Sequence, residues 1–238
     1  MKSAGRAAPD AAGPYGPGRR RAALGGALLV LGSALRAAAG DLDVVVHDRA
    51  GRPVADVAIT VTPRDRGPAR TTRPAPGVTA VMDQKNRAFV PALLVVGTGT
   101  AVEFPNSDTV SHQVYSFSAA KKFKLPLYKG LAHPPVTFDQ PGLVVVGCNI
   151  HDEMVGYILV TDAPAFGRTG TDGRLALPHL AAGDYEITAW SPYLADDAAV
   201  LSRRSRIEAT GTTALRFDLR RDLRSQPEPR PGRTDWEY

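Results

Sequence analysis

The sequence predicts an all-β protein, because three observations agree. From Asp41 onward, short apolar runs alternate with polar residues, and turn residues recur about every 8 to 12 positions. No long segment shows the 3.6-residue period of an amphipathic helix. With 238 residues, 43% of them hydrophobic, the chain can bury a real core and is too apolar for a disordered protein. A β-sandwich or barrel is therefore expected.

The first predicted strands are residues 42–46 and 54–61, which flank the turn sequence Arg-Ala-Gly-Arg-Pro at 49–53. Residues 63–76 are rich in Pro, Arg and Thr, which predicts a loop. Apolar runs separated by Gly and Pro then predict a middle group of strands at 88–96, 101–104, 112–117, 135–138, 142–147 and 156–160.

The last strands follow the turn sequence Thr171-Asp-Gly173. They are predicted at 174–177, 183–190, 206–209 and 214–219. The one helix candidate is 194–202. Residues 220–238 carry Pro227, Pro229 and Pro231 among mixed charges and are interpreted as a flexible tail.

Residues 1–39 are interpreted as a signal peptide. Residues 22–35 are uncharged and apolar but shorter than the roughly 20 residues that span a bilayer. Basic residues precede them, and Ala37-Ala-Ala39 suits a cleavage site. We therefore expect a periplasmic or secreted protein with no stable membrane insertion after cleavage. An uncleaved anchor is the alternative, and Sec or twin-arginine export both stay open.

The net charge gives no argument for nucleic-acid binding. Six of the 29 Lys and Arg residues, but only one of the 24 Asp and Glu residues, lie in the predicted signal peptide, so 23 of each remain. The high isoelectric point thus belongs to the export segment, and no nucleic-acid partner is expected.

The chemistry concentrates around Cys148, the single cysteine, which excludes an intramolecular disulfide. Cys148, His151 and Met154 form a Cys-x-x-His-x-x-Met sequence between two apolar strands. A thiolate, an imidazole and a thioether on one loop can converge on an ion, and a second imidazole would complete the donor set of a blue-copper site. Two alternatives are a packed cysteine without metal and a Cys148–His151 nucleophilic pair.

Residues 78–161 resemble a cupredoxin of the plastocyanin and amicyanin type, and the Cys-x-x-His-x-x-Met spacing is the amicyanin one. The resemblance is greatest to the exported plastocyanin-like proteins called methylamine-utilisation proteins. It is carried by the strings Phe104-Pro-Asn-Ser-Asp108, His112-x-Val-Tyr-Ser-Phe117, Phe138-Asp-x-Pro-Gly142 and Gly147-Cys-Asn-Ile-His-Asp152.

This resemblance implies one mononuclear type 1 copper, with Cys148 as thiolate ligand, His112 and His151 as imidazole ligands and Met154 as axial thioether. It also implies that Asn106 ties the His112 strand to the ligand loop. Gln113 stands where small cupredoxins usually have Asn, which leaves the hydrogen bonding of the Cys148 sulfur open.

The flanking segments resemble a different sandwich. Residues 44–61 and 171–185 are similar to transthyretin-like, carboxypeptidase-regulatory-type domains. We therefore expect residues 41–77 and 164–219 to form one discontinuous β-sandwich. A Greek-key cupredoxin domain, residues 78–163, is either inserted in this sandwich or flanked by it. Two separate small β units are the alternative.

The expected function is transfer of single electrons between redox protein partners of unknown identity, without enzymatic activity. We expect partners to dock on apolar residues near the exposed edge of His151, with Ile150, Phe89 and Pro91 as candidates. Two alternatives stay open, a copper-binding or delivery protein and a non-redox structural module.

His47, His133 and His179 are expected to be surface or capping residues. The lysines at 121–124 are either a solvated face or a docking patch for an acidic partner.

Overall fold

The computed structural model describes residues 39–65, 79–130, 133–194 and 201–219, and within these ranges the regular structure is all β. The all-β prediction is confirmed. Among the described residues, no helix has the length and apolar character to cross a membrane. The strands are β1 (Ala39–His47), β2 (Ala58–Pro63), β3 (Thr79–Val81), β4 (Asp83–Lys85), β5 (Ala88–Val90), β6 (Leu93–Gly97), β7 (Thr100–Glu103), β8 (Tyr115–Ser118), β9 (Lys121–Lys124), β10 (Val136–Phe138), β11 (Gly142–Cys148), β12 (His151–Thr161), β13 (Ala165–Arg168), β14 (Arg174–Ala181), β15 (Gly183–Trp190), β16 (Leu201–Ile207) and β17 (Thr212–Asp218).

Two sheets combine strands from both ends of the described chain. In one, β1 pairs with β14 antiparallel and with β17 parallel, and in the other the order is β13-β2-β15-β16. The two sheets share one core, to which β1 contributes Leu42, Val44 and Val46, all fully buried at alternate positions. That alternation places one apolar face of β1 against the second sheet, as a sandwich requires.

A second core lies between the sheets of order β10-β7-β3 and β6-β12-β11-β8-β9. Strand β12 is an inner strand of the five-stranded sheet, antiparallel to β11 and parallel to β6. Its inward residues Met154, Ile158 and Val160 are buried at even spacing. Because β11 ends at Cys148 and β12 begins at His151, the β11–β12 turn sits at one end of this sandwich.

Several predicted elements differ from the structure. The strand predicted at 88–96 is two strands, β5 and β6, interrupted at Pro91, which has no N–H to donate to a ladder. The helix predicted at 194–202 is wrong where it is described, because Leu201 and Ser202 begin β16, which pairs with β15. The strand predicted at 206–209 is therefore the end of a longer strand.

Two other strands begin later than predicted, and four short strands were not predicted. The strand predicted at 54–61 begins only at Ala58, and the strand predicted at 112–117 begins at Tyr115. Strands β3, β4, β9 and β13 were not predicted, because each has only three or four residues and their polar or charged content hides the alternation. Residues 1–38, most of the 63–76 loop and the 220–238 tail lie outside the described residues. The division into a discontinuous outer domain and an inserted domain stays a prediction.

Candidate metal centre

Three donor atoms from separate segments converge at one end of the second core. His112, Cys148 and His151 each offer an atom, and these lie within 4.8 Å of one another. Nδ1 of His112 is 3.1 Å from Nδ1 of His151, and Sγ of Cys148 is 3.8 Å and 3.6 Å from these two nitrogens. Cys148 and His151 are cross-strand partners just beyond an irregularity in the β11–β12 register.

These distances fit one metal ion. Donors at about 2.0 Å for nitrogen and about 2.3 Å for sulfur, arranged in a plane around one ion, would be about 3.5 Å apart for N···N and about 3.7 Å for N···S. The observed separations of 3.1, 3.6 and 3.8 Å are close to these values. Soft thiolate with imidazole is a donor set that suits copper.

His112 is held by the backbone beside it. Its side chain is fully buried, and its backbone exchanges two hydrogen bonds with Tyr128, of 3.0 and 2.9 Å. The Tyr128 hydroxyl accepts a hydrogen bond from Gln84 and donates one to the carbonyl of Phe104. Since these side chains are buried and bonded to one another, the His112 segment is fixed from within the core.

Cys148 is 2% exposed, and its sulfur lies beside the ring nitrogens of His112 and His151. Burial would raise the pKa of this thiol, but His112 and the backbone N–H groups of Gln113 and Ile150 outweigh burial and hold the pKa below its ordinary value. This effect of the Gln113 backbone on the pKa of Cys148 does not depend on which side chain stands at position 113.

The two imidazoles differ in their electrostatics. Burial would lower the pKa of His112, but its hydrogen bonds with Cys148 and Asp108 and their negative charges raise the pKa above the ordinary value. Burial, and then the charges of His112 and Arg87, lower the pKa of His151. The lowered pKa of His151 favours the neutral imidazole that can bind a cation, and the lowered pKa of Cys148 favours the thiolate.

Met154 lies on β12, three residues after His151, and its side chain is 1% exposed in the same core cluster as Cys148. The three converging donors are His112, Cys148 and His151. The assignment of Met154 as the axial fourth ligand stays a prediction.

Asp108, for which the sequence predicts no role, lies against the site. Its Oδ2 lies 2.9 Å from Nε2 of His112, on the ring edge opposite the converging donors. Burial would raise the pKa of Asp108, but hydrogen bonds from the Arg87 backbone, the His112 ring and the Thr109 backbone lower it below the usual value. The signal in the sequence is an aspartate four residues before the histidine, which alone is too common to stand out.

Asn106 acts differently from what was expected. Its Nδ2 donates to the carbonyls of Val110 and Tyr128, both at 2.9 Å, and its Oδ1 accepts from the backbone N–H of Asp108 at 3.0 Å. These bonds hold the segment that leads to His112 against Tyr128. They do not run to the loop of Cys148 and His151, as the resemblance implied.

The expected docking residues are only partly at the surface. Ile150 is 48% exposed and Pro91 is partly exposed, but Phe89 is 2% exposed and packs where a side chain on Gly156 would lie. The interpretation of Phe89 as a surface residue was wrong, because the glycine opposite it makes room for its ring in the core.

The other described histidines lie outside the cluster. The ring of His133 packs on Tyr128 at a centroid distance of 4.8 Å, and His179 is exposed in a left-handed conformation. His47 is partly buried near the first turn. Lys121, from the lysine run, forms an ion pair of 3.0 Å with Asp139.

Comparison with known proteins finds no matching family model and no similar curated protein. Solved structures similar to part of the chain include a novel purple cupredoxin from Nitrosopumilus maritimus, with 23% identity over 34% of this chain and 99% of that one and a TM-score of 0.32. A reduced mutant of amicyanin has 23% identity over 43% and 99% of the chains and a TM-score of 0.33. A Cu-containing nitrite reductase from Thermus scotoductus SA-01 has 25% identity over 41% of this chain and 27% of its own, with a TM-score of 0.34. Each of these similarities covers less than half of this chain.

Proposed function

We propose that this protein is a one-electron carrier that holds a single copper ion with His112, Cys148, His151 and Met154. The observation that carries the proposal is the convergence of two imidazole nitrogens and one thiol sulfur at 3.1 to 3.8 Å. Copper, when bound, would supply a Cu(I)/Cu(II) couple. The chain would supply the ligands and a rigid frame around them.

The donor types suit both oxidation states. Thiolate and thioether favour Cu(I), whereas imidazole accepts either state. The His112 ring is fully buried and bonded to Asp108, and Cys148 is buried in the core cluster, so two of these ligands are held within a β-sandwich core. Ligands that cannot move require little rearrangement when the charge of the ion changes, which is what an electron carrier needs.

The burial of the site favours a carrier over an enzyme or a delivery protein. Cys148 and His112 are 2% and 0% exposed, so neither a substrate nor an acceptor protein's ligand has direct access to them. His151 is the partly exposed ligand, next to Ile150 at 48% exposure. We propose that redox protein partners dock on this edge, outside the cytoplasm, as the export segment predicts.

Copper loading tests the proposal. The purified protein titrated with Cu(II) should take up one equivalent, develop an intense thiolate-to-copper absorption band in the visible range and give a reversible voltammetric wave. The substitution Cys148→Ser should abolish the band and the wave. His179→Ala is the matched control, because His179 is exposed and outside the cluster, and it should leave both unchanged.

Three results would contradict the proposal. Copper uptake without an intense band or reversible redox chemistry would favour copper storage or delivery. The absence of any uptake would leave a structural module. A band that persists in Cys148→Ser would mean that the ion binds elsewhere.

A further inference from the structure

The carboxylate of Asp108 contacts the one nitrogen of His112 that does not face the site. Its Oδ2 is 2.9 Å from Nε2, the His112 side chain is fully buried, and the Asp108 side chain is 12% exposed. A carboxylate accepts hydrogen bonds, so Nε2 must carry the proton. Nδ1 is then the nitrogen that is left to bind an ion.

Asp108 is itself held in place from three directions. Its Oδ2 also accepts the backbone N–H of Arg87 at 2.8 Å, and its Oδ1 accepts that of Thr109 at 3.0 Å. Its own backbone N–H donates to Asn106 at 3.0 Å. The carboxylate cannot rotate away from His112 without breaking these bonds, so its position is set by the backbone and not by the metal.

The charge of Asp108 acts on the ion through the ring. A carboxylate is ionised at neutral pH, and in a mostly buried site its field is screened less than in water. Its attraction is greater for a doubly charged than for a singly charged ion. The Asp108 charge therefore opposes the preference of the Cys148 thiolate for Cu(I). Among the described residues, Asp108 is the carboxylate that is bonded to the ring of a proposed ligand.

We propose that Asp108 is a positioning residue of this centre, which orients the His112 ring through Nε2 and favours the oxidised over the reduced metal. The preference for the oxidised metal rests on the proposed copper function. The orientation of the His112 ring does not, and it can be tested in the metal-free protein.

Two substitutions separate orientation from charge. In Asp108→Asn, the amide oxygen can occupy the place of Oδ2 and still accept from His112 and Arg87, while only the exposed bond to Thr109 is lost. This variant removes the charge and keeps the orientation. Asp108→Ala removes both. Asp139→Asn is the matched control, because Asp139 is an exposed carboxylate paired with Lys121.

Nuclear magnetic resonance of the 15N-labelled, metal-free protein tests the orientation. We expect the Nε2–H signal of His112 to persist against solvent exchange in the unmodified protein, in Asp108→Asn and in Asp139→Asn, and to be lost in Asp108→Ala. A protected Nε2–H in Asp108→Ala would overturn the orienting role. If Asp108→Ala does not fold, a missing Nε2–H signal in the unmodified protein still overturns it.

Copper affinity and voltammetry test the charge. We expect Asp108→Asn to keep the copper band, to bind Cu(II) about 10-fold more weakly with little change for Cu(I), and so to raise the reduction potential by about 59 mV. The control should not shift. An unchanged or lowered potential in a variant that still binds copper would overturn this inference alone, whereas an unmodified protein without a copper site would overturn the proposed function.

Discussion

Nδ1 of His112 and Nδ1 of His151 lie 3.1 Å apart, although 39 residues separate the two histidines in the chain. Two nitrogen lone pairs at this distance repel each other unless a proton or a cation lies between them. The fold nevertheless brings them together beside the Cys148 sulfur, with the His112 ring fully buried. A proton shared by the two nitrogens, or a cation bound by both, satisfies this arrangement.

Replacing Met154 by Leu tests the axial role of the thioether. Leucine is close to methionine in volume, so we expect the free energy of unfolding of the metal-free protein to fall by less than about 1.5 kcal/mol. Copper should still bind. Since the axial ligand tunes the potential of such a site, its loss should change the reduction potential, measured by voltammetry. Loss of copper binding would mean that Met154 is an essential ligand, and an unchanged potential would mean that it is only a packed side chain.

Adding a methyl group at Gly156 tests the packing that supports β12. A Cβ there would lie 2.9 Å from Cβ of Phe89 and 3.0 Å from its ring, two residues after Met154. We expect Gly156→Ala to reduce the free energy of unfolding by about 1 to 3 kcal/mol, measured by denaturant titration. Val155→Ala, at a 37% exposed position beside it, is the control and should reduce it less. Equal losses in the two variants would show that Phe89 can move aside freely.

The stability of the protein should fall at alkaline pH because of Tyr128. Burial raises the pKa of Tyr128 to about 12, although the hydrogen bond from Gln84 lowers it. The ordinary value in the unfolded chain is about 10. The unfolded chain therefore loses this proton first, so the contribution is fully present below pH 10 and is lost as the pH rises towards 12.

Tyrosinate absorbance during a pH titration measures this directly. We expect Tyr128 to contribute an ionisation step near pH 12, and this contribution to be missing in Tyr128→Phe. A titration in which Tyr128→Phe removes an ordinary step near pH 10 would show that the hydroxyl is accessible to water.

Thr169 tests how the two ends of the described chain are joined. Its buried hydroxyl accepts from the backbone N–H of Val57 at 3.0 Å and donates to the carbonyl of Val54 at 2.9 Å, across more than 100 residues of sequence. Thr169→Val leaves both backbone groups without their partner, which should reduce the free energy of unfolding by about 1 to 3 kcal/mol for each group. The copper band should not change.

Thr60→Val is the control for this prediction, because the Thr60 hydroxyl pairs with that of Thr188 in a partly buried position where water can replace it. A loss in Thr169→Val no larger than in this control would show that the Thr169 bonds do not contribute to stability.

The all-β class and most of the long strands could be predicted from the sequence, since strands such as β1 bury every second side chain. The break at Pro91 could also have been read from the missing N–H. The full β16 strand could not be predicted, because Leu201–Ile207 carries three arginines. It is a strand because it pairs with β15. Tertiary contact overrides local preference there.

The donor atoms of the site were predictable because Cys148 and His151 are close in sequence and their residue types carry the chemistry. The position of His112 beside these two residues could be expected only from the resemblance, because the fold brings it there. Asp108 was missed, since its contact with Nε2 depends on how the segment before His112 curves back over the ring. Phe89 was placed at the surface wrongly, because nothing in its own sequence shows the space left by Gly156.

X-ray absorption fine structure at the copper edge, recorded on protein loaded with one equivalent, identifies the atoms bound to the metal. We expect one sulfur at a short, thiolate-like distance and two imidazole nitrogens at about 2.0 Å. The short sulfur should disappear in Cys148→Ser. A spectrum of only nitrogen and oxygen neighbours in the unmodified protein would contradict the assignment of this site as the copper centre.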